Sequence, residues 1–115
     1  MSSYRELTVW QKAIELVVLI YIYTKKFPAD ERYGLVSQMR RAAVSIPSNI
    51  AEGSRRQGKY TVHFLTISFG SASELETQIE ISKRLDYGRP AERESCEKLL
   101  SEVLRMLNTM TSKHY

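Results

Sequence analysis

Cysteine occurs once in this chain, at Cys96, which excludes an internal disulfide and fits a reducing cytoplasm. The same scarcity removes any multi-cysteine zinc site, and the thiol falls on an apolar stripe where an inert buried role is expected. Histidine occurs twice, as His63 and His114. Neither has a glutamate three residues before it, so the Glu-x-x-His pairs that hold di-iron in helical bundles are missing. No Gly-x-Ser-x-Gly elbow occurs. These gaps predict a chain with no metal, no cofactor and no catalytic residues. Three prolines and five glycines are few, which leaves room for long helices. The longest apolar run, Leu16 to Ile22, is too short to span a bilayer. Polar groups at Tyr4 to Glu6 and at Gln11 and Lys12 break up any secretory leader. A cytoplasmic protein without a membrane partner is expected.

What is present is ordinary in amount and uneven in placement. At 115 residues, 43% hydrophobic and 26% charged, the chain predicts a single globular domain over 1–115. Residues 1–60 carry ten Lys/Arg against five Asp/Glu, and residues 61–115 carry seven against eight. A basic half on a chain of pI near 9.3 suits a nucleic-acid partner or an acidic protein surface. It equally suits a small protein kept soluble by a modest charge.

Apolar residues at steps of three and four predict four helices, about 5–26, 31–53, 60–86 and 90–110. On the first, Leu7, Trp10, Ile14, Val17, Tyr21 and Thr24 form a stripe that Ala13, Val18 and Ile20 widen. A stripe so wide predicts contact with a second subunit as well as an internal core. Pro28 ends that helix, and Asp30 is the expected N-cap of the next. On the third, Gly70 among small residues predicts a close helix crossing. Gly88 closes that helix, and Pro90 opens the fourth. Short connections then give an antiparallel up-down-up-down four-helix bundle, all-α.

The second helix holds the most specific stretch. Leu35, Met39, Ala42, Ala43, Ile46 and Ile50 share one face, and Pro47 interrupts it, so a kink is expected there. Ser45, Ser48 and Asn49 flank the proline and can bond to backbone groups that it frees. Gly53 is the expected stop.

Ser45-Ile-Pro-Ser-Asn-Ile-Ala-Glu-Gly53 does not stand alone. Trp10-Gln-Lys-Ala13, Phe27-Pro28, Glu31-Arg-Tyr-Gly-Leu35 and Gly70-Ser-Ala-Ser-Glu-Leu-Glu-Thr77 accompany it in order. Together they resemble the bacterial four-helix-bundle proteins encoded in intervening sequences of 23S ribosomal RNA genes. The likeness is close over roughly Tyr4 to Tyr87 and rests on pattern alone in the last helix. It is similar, too, to the accessory protein that partners reverse transcriptase in diversity-generating retroelements. The resemblance implies ring assembly, with a pentamer favoured, and no enzymatic activity.

Two sets of residues follow as candidates. Arg40, Arg41, Arg55, Arg56 and Lys59 offer cations for phosphates, and Tyr60 offers a ring for stacking on a base. Trp10, Ile46, Pro47, Asn49, Gly70, Glu74 and Glu76 are expected at helix-packing or oligomer contacts, with one glutamate turned inward toward a partner such as Arg41. A homo-oligomer that binds structured RNA or DNA through backbone charge is the leading expectation. A protein-interaction adaptor that docks a nucleic-acid enzyme is its rival. Hydrolysis at the carboxylates of the third helix ranks last, for want of a catalytic partner.

Overall fold

The computed structural model describes residues 3–112, and every regular element in that range is helical. Four helices follow one another: α1 Thr8–Thr24, α2 Leu35–Ser54, α3 Lys59–Arg84 and α4 Pro90–Ser112. Short 3-10 turns at Tyr4–Glu6 and Ala29–Glu31 precede α1 and α2. Each helix packs on its neighbours in the chain, and α4 returns against α1. The result is the expected up-down-up-down bundle, 43 Å long and 24 × 23 Å across.

The core of α1 is not the expected stripe. Val9, Ala13, Leu16, Ile20 and Tyr23 are the residues it buries, with Thr24 behind them. Trp10 and Val17 are half-buried, while Ile14, Val18, Tyr21 and Ile22 are 38 to 53% exposed. The helix is apolar nearly all round, so periodicity alone cannot say which side faces in. Of the expected residues Thr24, Ala13 and Ile20 are buried, Leu7, Trp10 and Val17 are half-buried, and Ile14, Val18 and Tyr21 lie on the uncovered side.

Glu31, not Asp30, caps α2. Its Oε1 accepts from the Leu35 N–H at 3.1 Å, and its Oε2 accepts from the Tyr87 hydroxyl at 3.0 Å. That second bond ties the start of α2 to the turn between α3 and α4. Tyr87 has its pKa raised, first by this bond to a carboxylate and then by burial.

Pro47 interrupts neither the helix assignment nor the buried stripe: Ala43, Ile46, Pro47 and Ile50 are all buried. The flanking polar groups do bond to the backbone, Ser48 Oγ to the Val44 carbonyl at 2.8 Å and Asn49 Nδ2 to the Ser45 carbonyl at 2.9 Å. These carbonyls neighbour that of Ala43, whose partner the ring removes. Buried Ser68 on α3 donates to the Ile46 carbonyl at 2.9 Å, and Ser45 and Ser71 share a hydroxyl pair at 2.8 Å. Hydroxyls from both helices thus stitch α2 to α3 around the proline.

The glycines are used differently from expectation. Gly53 lies inside α2, where an added Cβ would sit 3.2 Å from both Phe64 Cβ and the Thr61 carbonyl. It is a crossing residue, not a stop. Gly70 faces open space with nothing within 4 Å, so the close crossing assigned to it is absent from this chain's own packing. At the end of α3, Tyr87 N–H bonds to the Ser82 carbonyl at 2.9 Å and Asp86 N–H to Lys83 at 3.1 Å. That is a Schellman cap with Asp86, φ 60°, in the left-handed position. Gly88 lies beyond it.

On α4 an apolar seam is buried, from Cys96 through Leu99, Leu100 and Val103 to Leu107. Burial, then the charges of Glu92 and Glu97, push the Cys96 thiol from 9.0 up to about 12. At pH 8 it is therefore a protonated, enclosed thiol. Native protein should leave Ellman's reagent unreacted, with one equivalent released on denaturation. Prompt reaction of the native protein would contradict this packing.

A candidate nucleic-acid interface

The turn between α2 and α3 gathers four of the six expected residues. Arg55 and Arg56 follow the last turn of α2, Gly58 takes φ 61° to reverse the chain, and Lys59 and Tyr60 open α3. All four are exposed, Tyr60 to 59%. The Thr61 hydroxyl donates to the Arg56 carbonyl at 2.9 Å and holds the turn closed. Lys59 Nζ lies 5.6 Å from the centre of the Tyr60 ring, so the charge and the stacking surface are adjacent.

Two residues that sequence reasoning did not single out complete this end. Tyr4 packs edge-on against Trp10 with ring centres 5.3 Å apart. The guanidinium carbons of Arg5 and Arg55 lie 4.9 and 5.4 Å from the centre of the Tyr4 ring. An arginine next to an aromatic residue at the chain start carried a signal only once the fold set it beside the α2–α3 turn.

Of these cations, Arg56 is partly neutralised. Its Nη2 lies 2.6 Å and its Nε 2.8 Å from Glu52 Oε2, one turn back. Arg5, Arg55 and Lys59 make no ion pair among the described residues. The cluster therefore keeps a positive excess with one exposed ring, Tyr60, and one half-buried ring, Tyr4, a combination suited to phosphate contact with stacking.

Arg40 and Arg41 stand elsewhere. Fifteen residues separate Arg40 from Arg55, about 22 Å along a straight helix. Arg40 turns to α1, its Nε 3.0 Å from Thr24 Oγ1 and its guanidinium 4.3 Å above the Tyr21 ring. Arg41 is exposed and lines a polar groove with Gln38, Ser45, Ser71, Glu74 and Gln78.

The carboxylates of α3 do not turn inward. Glu74 and Glu76 are both exposed, and the buried polar residue of that stretch is Gln78. Helical phase explains it, since Leu75 and Ile79 define the inner line and Gln78 lies beside it. Glu76 and Glu80 do share a groove with Glu97. Glu80, however, pairs with Arg84 at 2.9 Å, and that hydrogen bond lowers its pKa, the opposite of what a general acid needs. One Ser-x-x-Lys spacing occurs on α4, at Ser95 and Lys98, but both are exposed and Ser95 donates to the Ala91 carbonyl at 3.2 Å. Among the described residues no group of three His, Cys, Asp or Glu could hold a metal. His114 lies outside the described residues.

An apolar surface borders the basic end. Tyr4, Trp10, Ile14, Val17, Val44 and Pro47 line a shallow groove of about 310 Å³ between α1 and α2, continued along α1 by exposed Val18 and Tyr21. Among the described residues no helix is long and apolar enough to cross a membrane.

Comparison with known proteins narrows the field. A family model described as 23S rRNA-intervening sequence protein matches residues 5–109. A crystal structure from Bacteroides thetaiotaomicron, described as a protein of unknown function from the S23 ribosomal protein family, is 26% identical with a TM-score of 0.80. The match covers 90% of this chain and 98% of that one. No curated protein matches at a significant level.

Proposed function

This chain belongs to the 23S rRNA-intervening sequence protein family, and from that premise we propose that it works without catalysis. Copies associate through the apolar α1/α2 face into a ring, with a pentamer favoured. The ring binds structured RNA or DNA through the basic ends of its subunits. The observation that carries this reading is the juxtaposition of Tyr4, Arg5, Arg55, Lys59 and Tyr60 at one end of the bundle beside an uncovered apolar groove. Each subunit offers few phosphate contacts, so useful affinity depends on several copies acting together. Nothing in the cluster is shaped to read base edges, so shape and backbone charge would set selectivity.

The test is fluorescence anisotropy on a labelled RNA hairpin. An Arg55→Ala, Arg56→Ala double variant should weaken binding about tenfold and flatten its salt dependence, each lost phosphate contact reducing the slope by about one. If the cations serve instead to dock a protein partner, nuclease treatment would leave that partner bound and the hairpin affinity would not respond to the variant. Turnover of any phosphodiester that vanishes in Glu76→Gln would overturn the non-catalytic reading.

A further inference from the structure

We propose that the pocket between the end of α1 and the start of α2 binds an oxyanion of the phosphate-monoester class, held by Lys25, Arg32 and Arg40. It lies at the other end of the bundle from the Arg55 cluster and stands independently of the function proposed for that end. The cavity has a volume of about 560 Å³, and its charged lining consists of those three cations with no carboxylate. None of the three makes an ion pair among the described residues. Glu31, close in the chain, has its carboxylate engaged by the Leu35 N–H and the Tyr87 hydroxyl. Asp30 is exposed and is not part of the lining.

Arg40 is the residue that makes this a built site. Its side chain is fixed by neutral groups alone: Nε donates to Thr24 Oγ1 at 3.0 Å, Nη2 to the Tyr21 carbonyl at 3.4 Å, and the Tyr21 ring lies beneath it at 4.3 Å. Thr24 is 2% exposed, and its own hydroxyl donates to the Ile20 carbonyl at 2.7 Å. A guanidinium has five N–H donors, so three remain for a ligand. A half-buried cation, oriented in advance and lacking a counter-ion, is costly to keep unless an anion visits it.

The surroundings favour a particular anion. A phosphate monoester carries about −1.5 to −2 charges at neutral pH, a better match to three cations than a singly charged diester. Phe27, Pro28 and Val36 supply an apolar wall for the carbon body beyond the phosphate.

The probe is phenyl phosphate, titrated calorimetrically into the full chain beside inorganic phosphate. Phenyl phosphate should bind more tightly than inorganic phosphate, and Arg32→Gln and Arg40→Gln should each weaken it by about tenfold. Arg32 is exposed, so its variant keeps the fold even if Arg40→Gln does not; Lys98→Gln, on the exposed face of α4, should bind as the parent does. Two hexanucleotides that differ only in a 5′-phosphate separate the sources. Arg32-dependent preference for the phosphorylated one assigns the site to a nucleic-acid end, and equal binding of both assigns it to a small phosphate ester. Absence of heat with phenyl phosphate, or binding untouched by Arg32→Gln, would overturn the proposal. A change of particle mass in Arg32→Gln without any phosphate binding would overturn it too, by revealing a neighbouring subunit's carboxylate as the occupant.

Discussion

Gly88→Ala is expected to destabilise the bundle by about 2–4 kcal/mol, which for a domain of this size lowers the thermal midpoint by roughly 10–20 °C. Two effects add. The residue has φ 73°, a conformation that costs any L side chain about 1 kcal/mol or more. An added Cβ would also stand 2.5 Å from Tyr23 Cε1 and 3.0 Å from Phe27 Cε1. Neither ring can yield easily. Tyr23 is fully buried, with its hydroxyl 2.7 Å from Ser82 Oγ and 3.2 Å from the Tyr87 carbonyl, and Phe27 packs edge-on against it. Gly58→Ala separates the two effects, because φ there is 61° but nothing lies within 4 Å. Its cost should be backbone strain alone, about 1–3 kcal/mol, because ψ −131° lies outside the left-handed helical well. Equal losses in the two variants, measured by thermal denaturation, would show that the close approach to Tyr23 contributes nothing.

The second large effect is on binding. A Val18→Asp, Val44→Asp double variant removes no cation, yet should cost at least about a hundredfold in affinity for a structured RNA, because avidity across copies is lost. Both residues are substantially exposed, at 53% and 41%. Charges placed there should therefore change the stability of a single subunit by only about 0.5 kcal/mol each. The anisotropy assay used for Arg55 and Arg56 reads the result directly. Undiminished hairpin affinity in this variant would mean that one subunit suffices and that the apolar face serves something else.

Fold class and helix order were legible because apolar spacing and the Pro28 and Pro90 punctuation agree with one another, although the stop of α3 falls to Asp86 and not to Gly88. The α1 register was not, since Trp10, Ile14 and Val17 are as apolar as Val9, Ala13 and Leu16, and only packing against α2 and α4 chooses between them. Capping failed at Asp30 for a related reason. The carboxylate that reaches Leu35 belongs to Glu31, four residues earlier, and is positioned by Tyr87 from 56 residues away. Gly53 took the crossing role expected of Gly70, which faces open space, because the crossing point of α2 and α3 is set by the Ser45–Ser71 and Ser68–Ile46 bonds, which no local pattern records. The candidate interface was half legible. Arg55, Arg56, Lys59 and Tyr60 fall within six consecutive residues, whereas Tyr4 and Arg5 join them only through the bundle. Arg40 looked like a companion by proximity in the chain, but Thr24 and the Tyr21 ring hold it at the other end.

Self-association is the premise on which the rest of the functional reading depends. Multi-angle light scattering of nuclease-treated protein at micromolar concentration measures it most directly. The account predicts a particle several times the 13.3 kDa chain mass, with five copies favoured, that falls toward one copy in the Val18→Asp, Val44→Asp variant. A parent protein that scatters as a single 13.3 kDa chain would contradict it.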